Sequence, residues 1–62
     1  MTNKMNRIAI NFERATMRDY DAYSLVTVAN LASGNRKLAA QELVVDKGLG
    51  SKNEEGTFEL FA

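Results

Sequence analysis

The 62-residue chain contains no cysteine, no histidine and no proline. It therefore lacks the side chains that most often form disulfides, bind zinc, or act as general bases and nucleophiles. We expect no enzyme, and we predict no catalytic residue, no metal ligand and no cofactor. The lack of cysteine also fits a reducing compartment.

The small size of the chain and the absence of cysteine and histidine for disulfides or metal sites together favour oligomerisation. A domain of this length buries only about 60% of the surface that its unfolded chain exposes, and natural domains this small are usually stabilised by disulfides, metals or association. No apolar run approaches the roughly 18 residues that cross a bilayer, and the start MTNKMNR has no hydrophobic stretch after its charges. We therefore expect a cytoplasmic homodimer with no membrane partner.

The formal net charge is zero, but the charges are unevenly distributed. Residues 1–40 carry six basic and three acidic side chains, whereas residues 41–62 carry two basic and five acidic ones. This asymmetry indicates a basic working half and an acidic end. Ordinary solvated charges that happen to segregate are the alternative interpretation.

Apolar residues alternate with other residues over positions 6–12, within the stretch NRIAINFE. The apolar set is Ile8, Ile10 and Phe12, and the intervening set is Arg7, Ala9 and Asn11. A period of two predicts a β-strand with one buried face. Such a strand needs a partner, since a lone strand is not stable in water.

Residues 17–32 are predicted to form a helix that Thr16 caps and Asp19 supports in a variant of the capping box. One helix face would carry Ala22, Leu25, Val28, Ala29 and Ala32. The alternative is a strand through SLVTV at 24–28, which would form a hairpin with the first strand. Adjacent apolar residues and the absence of glycine or proline in RATMRDYDA favour the helix.

The segment RKLAAQELVVDK is the clearest helix, following a break at SGN, residues 33–35. Ser33 or Asn35 is available as its N-cap, and Gly48 stands where a C′ glycine is expected. Its main apolar stripe is Ala39, Ala40, Leu43 and Val44, and a second pair, Leu38 and Val45, lies nearly opposite. A helix that is apolar on two sides is normally buried on two sides, and a second copy could provide that cover.

Residues 51–62 form either an acidic, aromatic tail or a closing strand, after a strand-helix-helix domain over residues 1–50. Phe58, Leu60 and Phe61 would anchor a second protein in the first case. In the second case, residues 57–61 would pair with the strand at 6–12 inside one small α+β chain.

The order strand, helix, break, helix resembles the ribbon-helix-helix family of DNA-binding proteins. The resemblance lies in RIAINF at 7–12, SGN at 33–35 and KLAAQELVVDKGL at 37–49. It is most similar to small plasmid-partition adaptors and to phage or plasmid repressors. The resemblance implies a mostly helical α+β fold in which two copies intertwine and pair their first strands as a ribbon in the major groove of double-stranded DNA.

The same resemblance implies site residues. The base-contacting set would be Arg7, Ala9 and Asn11, whose chemistry suits guanine, a thymine methyl and adenine. The phosphate-contacting set would be Ser33, Gly34, Asn35, Arg36 and Lys37 at a helix N-terminus. A repressor or partition-type adaptor is thus the expected function, and a small phage-type protein–protein inhibitor or accessory factor without DNA binding is the alternative.

Overall fold

The computed structural model describes the backbone of residues 3–62 and the side chains of residues 6–62. Three helices are followed by two short strands that pair as an antiparallel hairpin, with Gly50 opposite Leu60. The elements are α1 (Asn3–Thr16), α2 (Ala22–Leu31), α3 (Gly34–Asp46), β1 (Gly50–Lys52) and β2 (Phe58–Leu60). The expected small, mostly helical α+β class is confirmed. The ribbon-helix-helix order is not found, because both strands follow the helices.

Residues 6–12 lie in helix α1, so the predicted strand is wrong. Ile10 is buried, whereas Ile8 and Phe12, four residues apart, are 63% and 67% exposed. Residues four apart share one helix face and residues two apart do not, so the alternating pattern is equally compatible with a helix. Neither a ribbon between copies nor a pairing of 6–12 with 57–61 therefore forms.

Residues 24–28 are helical, as the sequence favoured over a strand, but helix α2 begins later than expected. The N-cap is Asp21, whose Oδ1 accepts a 2.8 Å hydrogen bond from the Ser24 N–H. Thr16 instead ends α1, and its hydroxyl donates to the Glu13 carbonyl. A turn closed by the Tyr20 N–H donating to the Met17 carbonyl separates the two helices.

Helix α3 is confirmed, together with its predicted ending. The N–H of Gly48 donates to the Val45 carbonyl and the N–H of Leu49 to the Val44 carbonyl, the pair of bonds that defines a Schellman motif. Its N-cap position is Ser33, whose side chain makes no capping hydrogen bond.

The core lies where α3 packs between α1, α2 and the hairpin. The expected α3 stripe is buried, as are α2 side chains and Phe58; the buried residues are Ile10, Met17, Leu25, Ala29, Ala39, Ala40, Leu43, Val44 and Phe58. The Asn30 side chain ties α2 to β2, because it accepts from the Phe58 N–H at 2.7 Å and donates to the Phe58 carbonyl at 2.9 Å. Within the described part of the chain, none of the helices is both long and apolar enough to span a membrane.

Candidate functional site

A network of four charged side chains joins α1 to α3. The Arg7 guanidinium donates two hydrogen bonds to the Glu42 carboxylate, at 2.8 and 2.7 Å. Arg14 donates to Glu42 at 2.7 Å and pairs with Asp46 at 2.7 Å. Two positive and two negative groups therefore neutralise one another along this side of α3.

The pKa values of three groups in this network are shifted in favour of the charged forms. The hydrogen bonds that Glu42 accepts, first from Arg7 and then from Arg14, lower the pKa of its carboxyl from 4.5 to about 2. The pKa of Arg7 and that of Arg14 are raised in turn, mainly by their hydrogen bonds to Glu42. Each shift means that folding favours the charged form of the group.

A second polar cluster holds the first turn of α3 against the end of α1. Arg36 donates to the Tyr20 hydroxyl at 2.8 Å and to the Glu13 carboxylate at 3.0 Å. Its guanidinium carbon also lies 5.8 Å from the centroid of the Tyr20 ring, within cation–π range. The pKa of Arg36 is raised, first by its hydrogen bond to Tyr20 and then by Glu13.

The predicted phosphate-contacting residues stay together at the start of α3. Only Ala32 and Ser33 separate α2 from α3, and the chain turns at Gly34, whose φ of +68° a side chain would disfavour. Short turns that contain glycine join the two helices of αα-hairpins and of helix-turn-helix units. Gln41 braces the pair by donating to the Ala29 carbonyl at 3.2 Å.

The predicted base-contacting residues lie on α1 and are not presented on a ribbon. The Arg7 guanidinium is engaged by Glu42, and it also donates a long, 3.4 Å hydrogen bond to the Asn11 side chain. Ala9 is half-buried. The family resemblance implied base contacts from an extended backbone, whereas these three residues lie on a helix.

The three residues predicted to anchor a partner, Phe58, Leu60 and Phe61, differ in their exposure to solvent. Phe58 is buried in the core, whereas Leu60 and Phe61 are exposed at the end of the chain. The Phe61 N–H donates to the Leu49 carbonyl and so continues the hairpin pairing. The segment at 58–60 is a strand, and its partner is β1.

An apolar groove of about 480 Å³, which the sequence did not predict, lies over the outer side of α3. Its apolar lining consists of Leu38, Val45, Ile10 and Phe58. Its polar lining consists of Arg7, Gln41, Glu42 and Asp46. The signal for it was the second apolar pair of α3, Leu38 and Val45, which is 46% and 56% exposed. The contributions of Ile10 and Phe58 depend on how distant segments pack.

Comparison with protein-family models, with curated proteins and with solved structures gives no match. The family resemblance therefore rests on the sequence pattern alone, and function has to be argued from the arrangement of residues.

Proposed function

We propose that the protein binds double-stranded DNA through the helix-turn-helix of α2 and α3. The observation that carries this proposal is the two-residue connection between the helices, followed by the left-handed Gly34 and then by Asn35, Arg36 and Lys37. In a DNA-bound helix-turn-helix, the second helix enters the major groove and its N-terminal residues contact base edges. Double-stranded DNA is the ligand that the sequence also suggested, but in this proposal the bases are contacted by helix α3 instead of by a strand.

The residues in the first turn of α3 suit both contacts to bases and contacts to phosphates. An asparagine such as Asn35 can bond an adenine through two hydrogen bonds, and a lysine such as Lys37 can bond guanine O6 and N7. Ser33 is exposed and makes no side-chain cap, so the first N–H groups of α3 lack that acceptor. Such N–H groups bind phosphate favourably. Arg36 is held by Tyr20 and Glu13, so we assign it a positioning role.

Electrostatics permit this binding and limit its strength. Glu42 and Asp46 would repel phosphates, but Arg7 and Arg14 neutralise them within the chain. The hairpin carries Glu54, Glu55 and Glu59 against one lysine, and we therefore expect it to lie away from the DNA backbone. Few phosphate contacts imply a shallow dependence of affinity on salt.

Selection of bound sequences from a random duplex pool, followed by titration over a range of salt concentrations, tests the proposal. Asn35→Ala should relax the preference at one base position, and Lys37→Ala should weaken binding, reducing the salt slope by about 1 if the lysine contacts a phosphate. Lys52→Ala on the hairpin is the matched control and should bind as the unchanged protein does.

Asn11→Ala separates this proposal from the ribbon hypothesis. A base-reading ribbon would lose specificity with this change, whereas the helix-turn-helix should retain it, because Asn11 lies on α1. A folded protein with no DNA retention at low salt would overturn both hypotheses.

A second candidate function is that of an accessory factor without DNA binding, and the apolar groove favours it. The charges at the lip of the groove are paired within the chain, so they offer no free charge to a ligand. The matching occupant is an amphipathic helix of another protein, inserting uncharged apolar side chains between Leu38 and Val45. Under this function Leu38→Ser should abolish binding to that partner, while Asn35→Ala should not affect it.

A further inference from the structure

We propose that the outward face of α1 binds the same face of a second copy, so that the protein is a homodimer joined through antiparallel α1 helices. The face consists of Ile8 and Phe12, with Asn11 and Ala15 beside them, and all four are exposed. We call it the α1 outer face. The dimer replaces the strand pairing that the sequence suggested with a pairing of helices.

The amphipathic character of α1 is reversed compared with an ordinary surface helix, whose charged side faces water. Three charged side chains of α1, namely Arg7, Glu13 and Arg14, are bonded to groups on the chain's own α3. The large apolar residues Ile8 and Phe12 point to solvent at 63% and 67% exposure. A contiguous exposed apolar surface of this kind marks an interaction site.

The absence of charge on this surface favours a second copy as the occupant. A two-fold axis sets identical surfaces against each other, so a lone charged residue on the axis would meet its own copy. None of the four residues of the α1 outer face is charged. In an antiparallel pair, Ile8 of one copy contacts Phe12 of the other, and the reciprocal contact follows by symmetry.

The size of the chain supports the same conclusion. Nine apolar residues form the buried core of the described part, and a chain of 62 residues is marginal without association. A 14-residue helix is about 21 Å long, so two such helices bury less than the roughly 800 Å² per partner of a standard interface. We therefore expect a reversible dimer whose population rises with protein concentration.

The dimer has a consequence that rests on the proposed function. Helix α3 packs on the opposite side of α1, so a pairing through the α1 outer face leaves α3 accessible. Two helix-turn-helix units related by a two-fold axis match inverted half-sites, which in this class lie about 34 Å or a multiple of it apart. The selected DNA sequences should then be inverted repeats.

Sedimentation equilibrium of the full chain without DNA tests the dimer independently of the proposed function. The apparent mass should rise with concentration toward twice that of the monomer. Phe12→Lys should weaken association about tenfold or more, because it places a charge in the centre of the interface. Leu31→Lys changes an apolar residue on α2 that is 81% exposed, against 67% for Phe12, and should leave association unchanged.

A charge-pair variant tests the antiparallel arrangement. In the double variant Ile8→Glu, Phe12→Lys, each glutamate faces the lysine of the other copy, so association should recover relative to Phe12→Lys alone. A parallel pair would set like charges together and would not recover. The proposal is overturned by a monomer at all concentrations, by a dimer that Phe12→Lys leaves intact, or by dissociation on Leu38→Lys with the α1 outer face unchanged. Circular dichroism of every variant verifies that the helices remain folded.

Discussion

Helix α1 and the unit formed by α2, α3 and the hairpin are stabilised in different ways. The unit is joined by buried apolar side chains, among them Leu25, Ala29 and Val44, which are fully buried. Helix α1 contributes one buried apolar residue, Ile10, and four salt bridges connect it to α3. Apolar packing has no charge that salt can screen or that pH can titrate, whereas partly exposed ion pairs are screened by salt. Changes in salt concentration and pH should therefore weaken the contact of α1 with α3 more than they weaken the packing within the unit.

The largest effect should come from the apolar unit. Leu25→Ala removes a fully buried side chain and should lower the free energy of unfolding by about 2 to 5 kcal/mol, through lost burial and the cavity left behind. Leu31→Ala makes the same chemical change in the same helix at 81% exposure and should change stability by less than about 0.5 kcal/mol. Urea unfolding followed by circular dichroism measures both. Equal effects would contradict the assigned core.

The next effect concerns the junction between α2 and the hairpin. Asn30→Ala leaves the N–H and carbonyl of Phe58 without their partner and should cost about 1 to 3 kcal/mol in unfolding free energy. Asn30→Asp keeps the acceptor for the Phe58 N–H but sets a carboxylate oxygen against the Phe58 carbonyl, so it should also be less stable than the unchanged protein. Thermal unfolding measures both variants. An alanine variant as stable as the unchanged protein would show that Asn30 does not hold the hairpin.

A smaller effect should come from the ion pairs of α1. Glu42→Gln removes the counter-charge of Arg7 and one of the two counter-charges of Arg14, which keeps Asp46, and should cost about 1 kcal/mol, given the partial exposure of the pair. High salt should reduce the difference, since it screens the remaining charges. Glu59→Gln on the exposed hairpin is the control. Loss of stability that does not depend on salt would indicate a packing role for Glu42.

The pH dependence of stability in the unchanged protein also measures the contribution of Glu42. The pKa of Glu42 is lowered to about 2 by folding, so its contribution is fully present above its unfolded pKa of 4.5. That contribution is lost as the pH falls from 4.5 through about 2, because the folded state must then accept a proton it binds weakly. Urea unfolding at a series of acidic pH values should show this loss, and the Glu42→Gln variant should show a correspondingly flatter profile.

The smallest effect should come from the cap of α2. Asp21→Ala removes the acceptor for the Ser24 N–H and should lower the melting temperature slightly. Asp21→Asn retains a side-chain oxygen and should lie closer to the unchanged protein. The hydrogen bond from the Ser24 N–H lowers the pKa of Asp21, so its stabilising effect should also decline at acidic pH. An alanine variant with unchanged melting would show that the cap is dispensable.

Local signals explain which predictions were confirmed. The stripe of α3 and its glycine ending depend on residues within two turns of one another, and both are present in the structure. The pattern at 6–12 was ambiguous, because Ile8 and Phe12 are four apart while Ile8 and Ile10 are two apart. The salt bridges from Arg7 to Glu42 and from Arg14 to Asp46 join residues that are distant in sequence. No local pattern could pair them.

The sequence alone therefore indicated the mostly helical α+β class, a helix over 17–32, of which 22–31 form α2, and the helix RKLAAQELVVDK with its second apolar side. These features follow from spacing and capping, which act over a few residues. Only the tertiary structure decided that 6–12 is helical, that β2 pairs with β1, and that the charged side of α1 faces inward. Each of these depends on contacts between distant segments, which reverse a local preference whenever burial and charge pairing stabilise the alternative.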